Sequence, residues 1–595
     1  MHKEMRKENV PSLVSLCINA VKRELLRGSD DLFPDVFELP TELFNPLVEC
    51  LPPLALQKLQ SKTNANFNEA WNTLFNFRWH DFEECGCVQP VDWQQIYWET
   101  HVQDCLDEAA KIACLPSFSG CLGDILILES VQLYIGYMDD MGNSDCLKLS
   151  YQCQQFGCYV RCFTLQNVLC VLESCILADG ILLQQLLRNS NLQRLVVQKI
   201  SHFQFDVLRK LLYQNCRTLK SLQFEGCEIS SSFMDAICGS FCMSGAETHQ
   251  IQHFSISFSN FYEMDPVYLG DSLASFLSSG RGVSPQNATP LRLHALASMI
   301  AGWLSNFNWR SGVAKSLQSL RILNLGGNNL QKEDAGQLKY ALVQMPSLEI
   351  LDLSGNPIGD EGIRSLIPYF AEVSKSGSPL TDLKLENCKL SSDGVTQLLD
   401  ALSTSARPMN YLSLADNNAR SQVAEALGKF WATSIKVLNL ECMGLGKSGF
   451  QKLEDTITDN LNLVELNIRF GSMLDASVSL PFCNYFLNDK AVRMFMSLLC
   501  SKNNGGIKTA KFLSKLIVHA PRLVAVNASF NLVPKESLPL ICSALKTAQD
   551  RLEKVYLDGN LWMYKPSHDA ILVEFQHNGK PILVLPDKPD DDDND

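Results

Sequence analysis

The stretch LRILNLGGNNL, residues 320–330, is apolar at 320, 323, 325 and 330, with Asn324 between Leu323 and Leu325. An L-x-L step alternates with period two, which marks a short strand with one buried face. Asn328 falls where the chain must turn. Its amide can bond the turning backbone from inside a stack, where a longer polar side chain would not fit. The pattern L-x-x-L-x-L-x-x-N/C-x-L returns at LEILDLSGNPI (348–358), LTDLKLENCKL (380–390), MNYLSLADNNA (409–419) and IKVLNLECMGL (435–445). The starts at 320, 348, 380, 409 and 435 are 28, 32, 29 and 26 residues apart. Weaker copies open at Leu192, Leu219, Ile251, Leu463, Leu523 and Leu552, and degenerate ones at Val160 and Leu122. The turn position holds Asn328, Asn356, Cys388, Asn417, Asn531 and Asn560.

After each turn comes a helical stretch. In DEGIRSLIPYFAEV (360–373), Ile363, Leu366, Ile367 and Phe370 fall on one face. A single unit cannot bury its apolar side, but stacked units bury it continuously. The expected fold is therefore an α/β leucine-rich repeat solenoid, a curved arc over about residues 121–570. Two gaps break the period, Ile251 to Leu320 and Leu463 to Leu523. The first holds SSGRGVSPQNATP (278–290) and is expected to be a loop insertion near 271–312. The second fits either a degenerate repeat around 485–505 or a loop at SKNNGG.

Composition narrows the class. At 595 residues the chain exceeds one ordinary core, which agrees with an array. It lacks an uncharged apolar run of about 18 residues, so no membrane span is expected. The opening MHKEMRKENV is polar, which argues against a secretory leader. The 22 cysteines are scattered singly and read as reduced thiols of the cytoplasm or nucleus, many of them buried; the sequons at Asn287 and Asn527 then carry no weight. A net charge of −14 disfavours nucleic acid as a partner, and KPDDDDND (588–595) reads as an acidic, disordered tail over 586–595.

Catalytic chemistry is sought and not found. GLGKSG (444–449) resembles the end of a phosphate-binding loop, but that pattern needs Gly at 441, where Glu441 stands. His80, Cys85, Cys87 and His101 lack the spacing of a zinc finger, and Cys114 and Cys121 do not complete paired knuckles. No nucleophile elbow and no H-E-x-x-H occur. No catalytic residue, metal or cofactor is expected, and an interaction protein is favoured over an enzyme.

Residues 11–26, PSLVSLCINAVKRELL, lie outside the repeats. Leu13, Cys17 and Val21 are four apart and share a helix face, with Leu16 and Ala20 beside them. One reading is a helix capping the apolar end of the stack. The string Ser12-Leu13-x3-Cys17-x3-Val21 also resembles the BC-box of elongin C-binding proteins, whose helix lays an apolar face into a groove. Seventeen residues on, Leu39-Pro40-x2-Leu43-x3-Leu47 resembles a cullin-2 box, although Pro46 should kink or end that helix within two turns. Two boxes followed by repeats of ribonuclease-inhibitor type resemble the PRAME-like leucine-rich-repeat substrate receptors of elongin–cullin ubiquitin ligases. The resemblance implies elongin C and elongin B, cullin-2 and its RING subunit as partners, with catalysis on other subunits. It assigns Leu13, Leu16, Cys17, Ala20 and Val21 to elongin C, and Leu39, Pro40, Leu43 and Leu47 to the cullin.

A rival uses overlapping residues. LPTELFNPLVECLPPLALQKLQSKTNANFNEAWNTLF (39–75) also resembles an F-box, which would bind Skp1 in a cullin-1 ligase. A third resemblance, of repeats and acidic tail to Ran GTPase-activating proteins, leaves residues 1–120 without a purpose. The expected organisation is a helical module over 9–80, a helical transition over 81–120, and then the solenoid. Trp71, Trp79, Trp93 and Trp98 are expected to join the module to the first repeats. A protein substrate is expected on the concave strand face. The contacts expected there are Asn324, Asp352, Lys384, Ser413, Asn439, Asn467, Asn527 and Tyr556, flanked by Tyr411 and Arg469.

Overall fold

The structure is a computed structural model. It describes residues 16–17, 20–22, 36, 38–62, 65–79, 91–113, 115, 118, 121–132, 135, 144–166, 186–200, 205–230, 251–258, 260–262, 319–343, 345–376, 379–404, 409–458, 461–469, 505–548, 550–557, 560, 575–578 and 580–584. Leu13, the 271–312 segment and the tail from 586 lie outside the described residues. The chain forms two compact units, Met1–Leu222 with Gly239–Ala246, and Gln223–Cys238 with Glu247–Asp595.

The first unit is mostly helical. Its helices include Thr41–Glu49, Pro53–Ser61, Asn68–Arg78 and Trp93–Ala113. The last of these buries Tyr97, Trp98, His101, Val102, Cys105, Leu106, Ala109, Ala110 and Ala113, an unbroken stripe at i, i+1, i+4 and i+5 spacing. Its start is held by two side chains: Asn68 Oδ1 accepts from the Trp93 amide at 2.8 Å and Asp92 Oδ1 from the Gln95 amide at 3.1 Å. The four tryptophans form one aromatic cluster. Trp98 stacks on Phe156 with ring centres 3.9 Å apart, Trp71 meets Trp98 edge-on at 5.8 Å, and Phe75 lies between Trp79 and Trp93 at 4.8 and 5.3 Å. Trp71 and Trp98 are fully buried, and Trp71 Nε1 donates to Gln60 Oε1 at 2.6 Å. Phe156 ends the helix Leu149–Phe156, which leads through one 3-10 turn to the first strand of the array, so the cluster does join the module to the first repeat.

That first strand is Cys162–Gln166, paired in parallel with Arg194–Gln198. The stretch at Leu122 is a 3-10 turn, Leu122–Asp124, and not a repeat strand. A strand at the end of a sheet leaves a row of unpaired backbone groups. Here the helix Trp93–Ala113 supplies the partners. Glu99 Oε2 accepts from the amides of Arg161 and Cys162 at 2.6 and 2.5 Å, Gln103 Oε1 accepts from the Thr164 amide at 3.0 Å, and Gln103 Nε2 donates to the Thr164 carbonyl at 3.1 Å. Burial pushes the Glu99 carboxyl upward while the two strand amides and Gln95 oppose it. The cap of the array is therefore this helix.

The second unit is the repeat solenoid. Strands His253–Ser257, Ile322–Asn324, Ile350–Asp352, Asp382–Lys384, Tyr411–Ser413, Val437–Asn439, Glu465–Asn467, Ala525–Asn527, Lys554–Tyr556 and Leu583–Val584 pair in parallel, each with the next. Their central residues align as Leu323, Leu351, Leu383, Leu412, Leu438, Leu466, Val526 and Val555, and all are buried. Both gaps in the period close inside this sheet. His253 pairs directly with Ile322, and Glu465 with Ala525, so no strand stands between either pair in this sheet. The helix Ile507–His519 occupies the end of the second segment.

The turn asparagines bond as their position predicts. Asn356 Nδ2 donates to the Leu325 carbonyl of the preceding repeat and the Leu353 carbonyl of its own, both at 2.8 Å. Its Oδ1 accepts from the amides of Asn328 and Leu330 at 2.9 and 3.0 Å. Asn417 repeats the arrangement with Leu385, Leu414, Cys388 and Leu390. At Cys388 the thiol donates instead, to the Leu353 and Glu386 carbonyls at 3.3 and 3.4 Å.

Candidate interaction surfaces

In the N-terminal stretch, Leu16, Cys17, Ala20, Val21 and Lys22 are helical. Leu16, Cys17 and Ala20 are exposed and Val21 is half-buried; Leu16 leaves 49% of its surface uncovered. Exposure of an aliphatic face on a helix does not follow from its own folding, since helices in proteins draw most of their stability from burying such a face.

The second box forms the helix Thr41–Glu49, with Pro40 just before it and the Pro40 carbonyl accepting from the amides of Leu43 and Phe44, both at 2.9 Å. Leu43 is exposed, Leu39 half-buried and Pro40 exposed. Leu47 differs from the expectation. It is 2% exposed and faces the module's core beside Val48, so it cannot contact a cullin. The i, i+4 stripe is split because this helix packs on one side against the helix Asn68–Arg78 and turns Leu43 away from the core. The helix runs through Pro46 and ends at Glu49, three residues on. Sequence reading also missed Phe77, 71% exposed near the end of Asn68–Arg78, whose side chain adds to the exposed apolar residues of this module.

His101, once a candidate zinc ligand, has both ring nitrogens engaged. Nδ1 lies 3.1 Å from Arg78 Nη1 and Nε2 lies 3.0 Å from Gln152 Oε1. Because arginine only donates, Nδ1 is the acceptor and Nε2 carries the proton. Burial and then the Arg78 charge lower its pKa to about 3, so the ring is neutral. His80, Cys85, Cys87 and Cys114 lie outside the described residues. Among the described residues no three His, Cys, Asp or Glu side chains group as metal ligands, none of the cysteines is in a disulfide, and no helix is long and apolar enough to cross a membrane.

On the strand face, the residues expected to point outward share one register row: Asn324, Asp352, Lys384, Ser413, Asn439, Asn467, Asn527 and Tyr556. All are half-buried except Ser413, which is fully buried and donates to Glu386 Oε1 at 2.6 Å. Ser413 is short enough to lie beneath its larger neighbours, and it is thereby removed from any contact surface.

The asparagines and aspartate of this row also have local work. Oδ1 of Asn324, Asp352, Asn439, Asn467 and Asn527 each accepts the backbone amide two residues on, at 2.8 to 3.2 Å. These are Asx-turns, which fix the exit of the strand. The side chains left to present chemistry are in the centre. Lys384 lies 3.7 Å from Asp352 and over the Tyr411 ring. Asn439 and Asn467 donate to Glu386 and Glu441. Arg469 lies over the Phe530 ring at 5.4 Å. Burial raises the Glu441 and Asp382 carboxyls and the Tyr411 phenol, against Asn467 and Arg469 at Glu441. This half-dry, mixed-charge surface suits a polypeptide with matched charges.

GLGKSG turns from strand to helix, with Gly444 and Gly446 at φ +76° and +60°, where a side chain would strain the backbone. Helix Gly446–Thr456 follows at once.

A leucine-rich repeat family model matches residues 316–337 and 344–366. Among curated proteins, the mouse NACHT, LRR and PYD domains-containing protein 14 is 25% identical over 249 residues, 40% of this chain and 24% of that protein. The pig ribonuclease inhibitor is 24% identical over 253 residues, 41% of this chain and 54% of the inhibitor. The matched region thus spans less than two thirds of either relative. Among solved structures, the yeast Rad7 and Elc1 complex aligns over 89% of this chain and 96% of that chain, at 12% identity and a TM-score of 0.37, a likeness too loose to carry weight. The fold is a leucine-rich repeat solenoid, and its repeats are similar in sequence to those of ribonuclease inhibitor.

Proposed function

We propose that this chain is the non-catalytic substrate-recognition subunit of an elongin–cullin ubiquitin ligase. The observation that carries the reading is the exposed helical face of Leu16, Cys17 and Ala20, in a chain whose array already has its cap in the helix Trp93–Ala113. With the array's end satisfied elsewhere, an aliphatic face at the N-terminal box is available to a partner's groove. Leu13 and Val21 complete that face by spacing, and the half-buried Leu39 with exposed Pro40 and Leu43 follows it for cullin-2. A protein substrate is assigned to the strand face around Lys384, Tyr411, Asn439, Asn467 and Arg469, in the cytoplasm or nucleus.

Co-purification tests the reading. Wild-type chain is expected to bring down elongin C with elongin B, and Leu13→Ala with Cys17→Ala to lose both while the array stays folded. Capture of Skp1 in place of elongin C, lost on changing Leu39 and Pro40 to Ala, would instead assign the module to a cullin-1 ligase.

A further inference from the structure

The helices of the solenoid change the sign of their starts along the array. The helix Lys332–Leu342 opens with Glu333 and Asp334, Gly359–Ser376 with Asp360 and Glu361, and Ser392–Ser403 with Asp393. Acids suit these positions, because the first turn presents unpaired amides and the positive end of the helix dipole. They are also put to use: Asp334 accepts the Gln331 amide at 2.8 Å, Asp360 the Ser391 amide at 2.8 Å, and Glu361 pairs with Lys332 at 2.5 Å.

In the next three repeats a base stands at the opening, with no acid in the turn Arg420–Val423 or in the first turns of Gly446–Thr456 and Ile507–His519; Glu425 follows only inside Ala424–Trp431. Arg420 opens the 3-10 turn Arg420–Val423 that leads into Ala424–Trp431; Lys447 is the second residue of Gly446–Thr456; Lys508 is the second of Ile507–His519. None of the three forms an ion pair among the described residues: Glu425 is taken by Lys429, and Lys508 donates only to the neutral amide of Gln451. The bases are neighbours. Arg420 and Lys447 line one open cavity of about 390 Å³ with Asn418, Ser421, Gln422 and Ser448. A Cβ placed on Gly506 would lie 3.9 Å from Lys447 Cε, which puts the start of Ile507–His519 at the far side. The run closes at Lys535, where Glu536 returns. A base at a helix start is electrostatically costly, and three in succession, without an ion pair among the described residues and with Arg420 and Lys447 exposed, lack an explanation in folding.

We propose that this edge is a docking surface for an extended acidic segment of a protein partner. Packed helices repeat every 8–10 Å or so, and an extended chain rises about 3.3 Å per residue, so one carboxylate at every third position meets one base per repeat. Serine hydroxyls and the side-chain amides of Asn418 and Gln422 supply the remaining donors. The chain's net charge of −14 repels such a segment elsewhere and confines it to this edge. The surface is separate from the strand face and does not depend on which adaptor the N-terminal module takes.

The test is fluorescence polarisation with the full chain and a labelled fifteen-residue peptide, (Glu-Gly-Ser) repeated, against its Gln twin and a labelled single-stranded oligonucleotide. The acidic peptide is expected to bind, the Gln twin not, and Arg420→Glu with Lys447→Glu to weaken binding tenfold or more. The same variant should melt no lower than wild type, since it places acids at helix starts; Arg420→Gln with Lys447→Gln, expected to weaken binding less, guards against misfolding. Leu13→Ala with Cys17→Ala should leave peptide binding intact, which separates this surface from the adaptor reading. Equal binding of the acidic and Gln peptides, or undiminished binding by both edge variants, overturns the proposal. Oligonucleotide binding in preference to the peptide, lost in the same variants, overturns it in favour of nucleic acid.

Discussion

The solenoid hides polar side chains and the N-terminal module shows apolar ones. Asn328, Asn356, Asn417, Asn531 and Asn560 are buried to 2% exposure or less, while Leu16, Leu43 and Phe77 keep 49, 43 and 71% of their surface. Both invert the usual sorting of side chains, for opposite reasons. The buried amide groups donate to backbone carbonyls of two repeats each, so the inversion is answered within the chain, with Asn531 Oδ1 alone of these five side chains' oxygens lacking a partner among the described residues. Among the described residues nothing covers the exposed leucines. A satisfied inversion is architecture, and an unsatisfied one points to a partner.

The largest effect should come from breaking the satisfied side. Asn356→Leu strands the buried Asn328 and Leu330 amides and takes one bond each from the Leu325 and Leu353 carbonyls, which keep Asn328 Nδ2 and the Cys388 thiol as donors. At about 1–3 kcal/mol for each stranded group, with some relaxation, a loss of roughly 3–5 kcal/mol is expected in urea unfolding. A loss below about 1 kcal/mol would mean that the ladder is ornamental.

On the unsatisfied side the same kind of cut should leave stability alone. Leu16→Ala is expected to change unfolding by less than about 0.5 kcal/mol, because the side chain is exposed, yet to weaken elongin C capture by about 2 kcal/mol in a binding titration. A destabilised fold with unchanged capture would reverse the comparison.

A third test uses His101, which belongs to the satisfied class although it lies in the module. Its folded pKa of about 3 is below the ordinary 6.5, so the unfolded chain takes up a proton that the fold refuses. Stability from this group is complete above pH 6.5 and falls as pH drops toward 3, by about 2 kcal/mol between pH 7.5 and 5. Asp107, raised to about 6 chiefly by burial, works the other way once pH is below 6, so the slope should be steepest between 6.5 and 6. His101→Gln should remove this loss and leave the opposite, weaker trend of Asp107 below pH 6; an unchanged slope would assign the effect to another group.

The smallest expected effect is Lys447→Glu, a gain of about 0.3–1 kcal/mol from an acid at a helix start. It sharpens the comparison by showing that an exposed, unpaired charge costs the fold something.

The repeat core was legible because its period, its L-x-L steps and its turn asparagines each follow from local sequence. The row Asn324 to Tyr556 could be read residue by residue for the same reason. What failed needed the third dimension. Leu47 reads as one stripe with Leu39 and Leu43, and only packing against Asn68–Arg78 shows that the stripe is divided. Ser413 carries the same periodicity as Lys384, and its burial depends on the size of its neighbours. Glu99 and Gln103 gave no signal at all, since capping a strand from a helix some 60 residues earlier leaves no local pattern. The change of sign at Arg420, Lys447 and Lys508 was visible in the letters but meaningless before the helix starts were aligned.

Ser255 sits beside Asn324 and Asn467 beside Asn527 as closely as strands from adjoining repeats. The sheet therefore does not register how much chain lies between two of its members. Lengthening a connection from about 25 to about 65 residues raises the closure cost by less than about 1 kcal/mol. Such junctions behave as ports: sequence can be exchanged at them on the time scale of evolution, or by an engineer, while every strand on either side keeps its address.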